Sequence, residues 1–512
     1  MDMRVLPLLV LGGTLLYLLW KVVRAVVLEP WAIRRVFEKQ GVKCLPYHVV
    51  LGNLREVSRL VEAARASPLP LEPHWIGARL LPHYYHWKKT YGDLFVFWLG
   101  YRAVLPIRNI ELVKEILSNK FGHFQKLSMR PEARNLVGES VASLEGEQWA
   151  QHRRIVGSAF VAEKLKGMTS TMISCIFKML DNWESEVGSL GCKEIDVHQQ
   201  FKVLTADIIA HTAFGSSYEE GKLVFKLQQE QQLLLSKLAR SIYIPGSRYL
   251  PTAHNRYACR LNSQIEATIS QIITSRGSSY VGNDLLGILM AANRKELQGS
   301  QKNLSLSMRE IVDECKTFFF AGHETTATLL TWTTMLLASN PEWQEKTREE
   351  VLLVCGREAP THQSLHNLKI VGMVLHEALR LYPPGVILLR QASKEIKLGS
   401  ITVPRKTILL MLLIDIHCDP QLWGPDALIF NPQRFAGGIS TACKTPLAFF
   451  PFSMGPRICL GQNFALLEAR AILAMMLQRF RFSLSPGYKH SPVSVITVQP
   501  QHGMQIIFEK LE

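Results

Sequence analysis

Pro451-Phe-Ser-Met-Gly-Pro-Arg-Ile-Cys-Leu-Gly461 sets Cys459 between two glycines and two residues after an arginine, just ahead of a helical run Gln462–Phe480. A thiolate that ligates a metal needs backbone N–H groups close by, and glycine lets backbone approach without a Cβ in the way. The N-terminus of the following helix adds a favourable field for a negative sulfur. Arg457 stands where a cation meets a carboxylate of a bound cofactor. The plain alternative for a lone cysteine is a buried thiol in a glycine-turned loop.

A second group with chemical content is Ala321-Gly-His-Glu-Thr-Thr326, where a small pair meets an acid and two hydroxyls. Gly322 lowers side-chain bulk beside a flat cofactor, and threonine hydroxyls bond to backbone carbonyls and open a helix locally. Taken alone, the stretch also reads as a tolerated glycine beside an exposed polar turn. Other chemistries drop out on spacing. His323-Glu324 and His376-Glu377 lack the second histidine four residues on that a zinc hydrolase needs. Gly215 to Lys222 has one residue too many for a phosphate loop, with Leu223 where Ser or Thr must hold magnesium. Neither G-x-G-x-x-G nor G-x-S-x-G occurs, so the chain carries no dinucleotide fingerprint of its own.

The elements that must position these groups are mostly helices. Apolar residues at three- and four-residue spacings predict helices at Glu111–Leu117, Trp149–Phe160, Met168–Val187 and Phe225–Ile242. The proline-free run from Arg309 to Asn340 predicts a helix of roughly 48 Å at about 1.5 Å per residue. Alternation near Leu94–Leu99, Ile396–Val403 and Gln501–Phe508 predicts strands, so the class is mainly α with a minor β-sheet region. Loop-like breaks near 186–192, 245–251 and 276–305 are too short for interdomain tethers.

Composition bounds the rest. With 512 residues, 47% hydrophobic and 20% charged, the chain is neither disordered nor a disulfide miniprotein. At about 150 residues per domain the length suggests three domains, a prior that large single enzymes exceed. Nine cysteines without a CxxC pair point to free thiols. The net charge of +15 is not gathered into a basic stripe with interleaved aromatics, which argues against nucleic acid and for an anionic membrane or an acidic partner. Val5 to Trp20 is uncharged and the apolar character continues to Leu28, which reads as a signal anchor over residues 1–28. A cleaved signal is the alternative, but no A-x-A-like site follows. Lys21, Arg24, Arg34, Arg35, Lys39 and Lys43 crowd the downstream flank and place the body in the cytosol. Residues 29–47 form a basic connector containing Pro30 and Pro46.

Phe452, Gly455, Arg457, Cys459 and Gly461 match F-x-x-G-x-R-x-C-x-G, and the chain is identified by this resemblance as a member of the cytochrome P450 superfamily, plant microsomal type. Glu377-Ala-Leu-Arg380 resembles that family's E-x-x-R helix, and Asn431-Pro-Gln-Arg434-Phe435 its P-E-R-F segment with Gln433 in place of Glu. Trp149-Ala-Gln-His-Arg153 is similar to W-x-x-x-R, and Ala321 to Thr326 to A-G-x-E-T-T. The resemblance implies a single catalytic domain over residues 48–512 with haem b held by Cys459. It implies propionate contacts from Arg457, Trp149, Arg153 and Arg390, a bracing ion network of Glu377, Arg380 and Arg434, and proton delivery through Glu324 and Thr325. It further implies a monooxygenase of the endoplasmic reticulum membrane, using O2 and electrons from NADPH through NADPH-cytochrome P450 reductase, on a hydrophobic small molecule.

Within the family the chain looks like the plant clan of brassinosteroid, cytokinin and triterpenoid hydroxylases. Lys39-Gln-Gly-Val42, Gly52-Asn-Leu-Arg-Glu56, Thr212-Ala-Phe-Gly-Ser-Ser-Tyr218 and Ile244-Pro-Gly246 carry that likeness, while Phe435-Ala-Gly-Gly438 and Pro500-Gln-His-Gly503 lean toward brassinosteroid hydroxylation. Lys43-Cys-Leu-Pro46 departs from the family's Gly-Pro-Pro-rich hinge. Cytokinin, gibberellin or triterpenoid hydroxylation are the alternatives. A haem isomerase or dehydratase that uses no oxygen, or a non-enzymatic haem protein, is a different class; the Glu324-Thr325 pair argues against the former.

Overall fold

The computed structural model describes residues 5–127, 129, 131–188, 191–215, 218–238, 250–277, 282, 284–297 and 305–511. Ile244-Pro-Gly246 and most of the break at 245–251 lie outside them. The stretch 276–305, expected to be loop-like, instead carries helix Leu285–Leu297, whose Leu285, Leu286, Leu289 and Met290 are buried in the core.

At the centre runs the 32-residue helix Met308–Ser339. Ser307 accepts from the Glu310 amide while the Glu310 carboxylate accepts from the Ser307 amide, a reciprocal cap that fixes where the helix starts. Nearly every residue from Ile311 to Ala338 is buried, so neighbours must cover it on all sides. Helices Val197–Phe214, Lys369–Leu381 and Gln462–Arg479 do so. Thr205 donates to the His323 carbonyl at 3.0 Å, tying the first of these to the middle of the central helix. One apolar core extends from Leu45 to Phe508.

The sheet component is small. Six short strands lie in the order Lys43–Cys44, Phe95–Leu99, Arg102–Ile107, Ile408–Met411, Leu388–Ala392, Phe124–Gln125, and the register places Arg390 opposite Leu409. Phe480–Leu484, Gln505–Lys510 and Cys192–Asp196 form a second sheet. Pro492–Val495 and Thr497–Pro500 form a two-stranded ribbon.

The expected mainly helical body with a minor sheet is observed. Predicted elements differ mostly at their ends: helices run Ile110–Ser118, Gly146–Gly157, Ala162–Gly188 and Tyr218–Leu238. The alternation at Ile396–Val403 is two strands, Ile396–Leu398 and Ile401–Val403, because Gly399 turns at φ +59°. The last strand starts at Gln505, since Gly503 at φ +77° interrupts the pairing. All nine cysteines are free thiols.

Helix Val5–Val23 passes through a wide π-helical turn, Arg24–Leu28, into helix Glu29–Glu38. Leu15 to Trp20 are each more than half exposed, whereas Val26 and Phe37 are buried against the body. Among the described residues no helix is long and apolar enough to cross a membrane.

Candidate functional site

The cysteine loop is held open by backbone geometry. Gly455 has φ +73°, and a Cβ there would lie 2.4 Å from the Leu117 carbonyl, so helix Ile110–Ser118 approaches only because this residue is glycine. Gly461 differs: a Cβ at that position would meet open space. Its contribution is an amide hydrogen bond that favours the Cys459 thiolate. The Cys459 amide donates to the Phe452 carbonyl at 2.9 Å and closes the loop. Cys459 carries accessible surface, yet surrounding protein mass pushes its thiol up, against the pull of the Gly461 amide and Arg153.

Cations gather beside it. Arg153 donates to the Ile458 carbonyl at 2.8 Å and lies over the Trp149 ring, 5.8 Å from its centroid. Arg457 also lies over the Trp149 ring, 4.4 Å from its centroid, pairs with Glu145 at 2.6 Å and donates to the Leu144 carbonyl at 2.9 Å. Its Nη1 is buried without a partner. Arg390, nearly buried on its strand, is lowered to about 10 by burial and by Arg457. Lys126 is lowered to about 7 by burial, then by Arg457 and Arg390. Four cations against Glu145 leave this corner electropositive, which favours an anion.

Behind the loop, Glu377 and Arg380 are completely buried. Arg380 spans the carboxylate with two hydrogen bonds of 2.8 Å, and Arg434 adds a third at 3.1 Å. Arg434 also pairs with Asp426 at 2.9 Å. Arg380 continues to the His417 carbonyl at 2.8 Å, and the His417 ring accepts from the Phe450 amide at 3.2 Å, one residue before Pro451. Burial and Arg380 lower His417 to about 3, so its ring is neutral and free to accept. The departure at Gln433 is harmless, because that side chain is exposed.

On the central helix, Ala321, Gly322 and Thr325 form the accessible strip between buried neighbours. Thr325 donates to the Ala321 carbonyl at 2.8 Å, one turn back. Gly322 admits a neighbouring helix: a Cβ there would lie 2.7 Å from Ile209. Glu324 is buried and turns its carboxylate to Thr497, at 2.8 Å, and to Gln499. Lys202 stands 3.6 Å away and His323 3.8 Å. Burial alone would push this carboxyl up, but Lys202 and His323 outweigh it and hold Glu324 below the usual carboxylate range. Lys202, His323 and Glu324 line a cavity of 250 Å³ together with exposed Lys222 and Lys226.

A larger cavity of 540 Å³ is lined by Leu127, Leu235, Ile387, Leu388 and Leu389, with Lys126 and Arg390 among its walls. A third, of 500 Å³, has Trp149, Arg390 and Arg457 in its walls, so Arg390 faces both.

The predicted residues Cys459, Arg457, Trp149, Arg153 and Arg390 therefore share one corner, while Glu324 turns to a separate polar pocket. Lys126, Glu145, Lys202, His417, Thr497 and Gln499 escaped the sequence reading. None sits at a spacing tied to the motif residue it serves.

Residues 68–508 match the family described as Cytochrome P450. Cytochrome P450 CYP72A616 of Paris polyphylla is 44% identical over 488 residues, 94% of each chain. Cytochrome P450 734A1 of Arabidopsis thaliana is 40% identical, covering 94% of this chain and 93% of its own. Secologanin synthase 1 of Catharanthus roseus is 40% identical, covering 96% and 95%. The retinoic acid bound cyanobacterial CYP120A1 has the same fold, with a TM-score of 0.75 over 92% of this chain and 99% of its own, at 23% identity. The protein is a monooxygenase of the class that carries a cysteinate-ligated haem and takes electrons from a redox partner. It belongs to the cytochrome P450 family, and its relatives make it a plant P450.

Proposed function

We propose that Cys459 ligates the haem iron and that Arg457, Arg390, Arg153 and Trp149, with Lys126, bind its propionates. The observation that carries this is the unpartnered Arg457 Nη1 inside a cation cluster, on the wall of the 500 Å³ cavity and close to the accessible Cys459 thiol. A flat dianion with an open metal position fits that donor set. Bound haem supplies oxygen activation, with cysteinate electron density favouring O–O cleavage. The chain's own part is to exclude water with the apolar walls, orient the substrate and deliver protons. Thr325 holds ordered water on the accessible strip. Glu324 passes protons from the Lys202 pocket toward it, which requires the Lys202 pairing to open. Absorbance of the reduced, carbon-monoxide-bound protein tests the ligand: a red-shifted Soret band is expected, and a band typical of histidine ligation overturns it.

The substrate is a hydrophobic small molecule of plant specialised or hormone metabolism. The cavity of 540 Å³ supports this, lying within the ~300–1,000 Å³ usual for such ligands. A brassinosteroid is the first candidate, supported by the likeness of Phe435-Ala-Gly-Gly438 and Pro500-Gln-His-Gly503 to that branch of hydroxylases. Cytokinins, gibberellins and triterpenoids are the alternatives, and the secologanin synthases bring secologanin precursors into the same screen. Co-expression with NADPH-cytochrome P450 reductase and mass spectrometry for a gain of one oxygen tests the set; no NADPH or oxygen consumption with any of them overturns the reading.

Residues 1–28 anchor the protein in the endoplasmic reticulum membrane with its body, residues 48–512, in the cytosol. The exposed apolar side chains from Leu15 to Trp20 support this. Deleting residues 1–28 should move the protein from the membrane pellet to the supernatant; full retention in the pellet overturns the anchor.

A further inference from the structure

We propose that Cys175, Asp207 and His211 form a binding site for one divalent ion of the zinc type, clamping helix Ala162–Gly188 to helix Val197–Phe214. One ligand atom from each, a thiol sulfur, a carboxylate oxygen and an imidazole nitrogen, lies within 4.8 Å of the other two. Asp207 and His211 are four residues apart on one helix, so both point to one side, and Cys175 meets them from the facing helix. His211 Nε2 stands 3.3 Å from Asp207 Oδ1. That matches the roughly 3.3 Å edge of a tetrahedron around zinc with bonds of about 2.0 Å to nitrogen and oxygen.

Charge and access agree with the geometry. A thiolate and a carboxylate cancel a dication, leaving a neutral site that a half-buried position tolerates. Cys175 is buried, whereas Asp207 and His211 side chains are 19% and 31% exposed, which gives the ion a way in and leaves a fourth position for water. Without an ion, burial and the Asp207 charge push the Cys175 thiol up to about 12, and it donates to Asp207. Binding breaks the S–H bond, forms the sulfur–metal bond and releases the proton to solvent. Lys178, three residues on, is the opposing cation. Glu468 faces the same thiol from helix Gln462–Arg479; it is fully buried, and burial pushes its carboxyl well up, so it stays neutral beside the site. The mixed sulfur, nitrogen and oxygen set suits zinc and excludes calcium and magnesium, which take oxygen ligands.

The site stands apart from the haem corner and does not depend on it. The test is zinc content of the full-length holoprotein after equilibrium dialysis against micromolar zinc, in a Cys192→Ser/Cys259→Ser background that removes the exposed thiols other than Cys459, which the haem occupies. One zinc per chain is expected, with X-ray absorption showing one sulfur at about 2.3 Å and lighter ligands at about 2.0 Å. Cys175→Ser and His211→Gln should each lose that zinc while keeping the reduced carbon-monoxide spectrum of the parent, which reports folding. His211 is partly exposed, so its variant remains informative if Cys175→Ser fails to fold. A parent that dialyses free of zinc, variants that retain it, or an absorption spectrum without sulfur overturns the proposal.

Discussion

Glu324 keeps its charge inside the protein because Lys202 sits 3.6 Å from it and Thr497 donates a hydrogen bond. With the cation removed, burial is left as the dominant influence on the carboxyl. Lys202→Met should therefore raise the Glu324 pKa and move the acid limb of the product-formation pH profile upward, at unchanged haem content. An unmoved limb would remove Lys202 from proton delivery. Thr325 makes a separate expectation. Its hydroxyl bonds only to the Ala321 carbonyl among the described contacts, so Thr325→Ala disturbs little packing. That variant should keep the haem spectrum yet divert electrons to peroxide, measured as peroxide formed per NADPH consumed. Tight coupling would sink the role of the hydroxyl.

At the scale of elements, the cysteine loop depends on a chain of supports. Glu377 is met by Arg380, Arg434 and the Asn431 amide, and Arg380 runs on through His417 to Phe450. Glu377→Ala leaves two guanidinium groups buried or nearly so without their carboxylate, at a cost of about 3–5 kcal/mol. The expected result is little correctly folded haem protein, read as the ratio of the reduced carbon-monoxide band to total chain; a wild-type ratio would contradict it. Gly455→Ala forces a left-handed φ on a residue with a Cβ, for about 1–2 kcal/mol, and adds the collision with Leu117. Gly461→Ala meets no atom, so of the two motif glycines Gly455 should be the less tolerant, as thermal denaturation will report.

Across the whole molecule, burial has collected histidines that stay neutral. His74, His83, His198 and His376 are lowered to about 4, and His417 and His490 to about 3, each mainly by burial. Between about pH 4 and 6.5 these rings are neutral in the folded chain and protonated in the unfolded one. Unfolding then takes up protons, so stability falls as pH falls through this window and is level above it as far as these groups are concerned. Denaturation midpoints between pH 7.5 and about 5 should drop steeply; a flat profile would show that the rings are hydrated.

Residue chemistry and local period were enough to read the family, the mainly helical class, the central helix and the cysteine loop. A thiolate in a glycine-flanked loop, an E-x-x-R pair and an acid beside an alcohol are demands on residue type at fixed short spacing, and short spacing is what a sequence displays. Tertiary structure alone decided who neutralises whom. Lys202 meets Glu324 across 122 positions and Thr497 meets it across 173, brought there by helix and strand packing that no local pattern encodes. The same holds for Gly322, whose reason is Ile209 on a neighbouring helix, and for His417, which carries the support of Arg380 to the cysteine loop. Composition and periodicity report the field a residue feels from its own element; the field that sets its charge comes from elements folded against it.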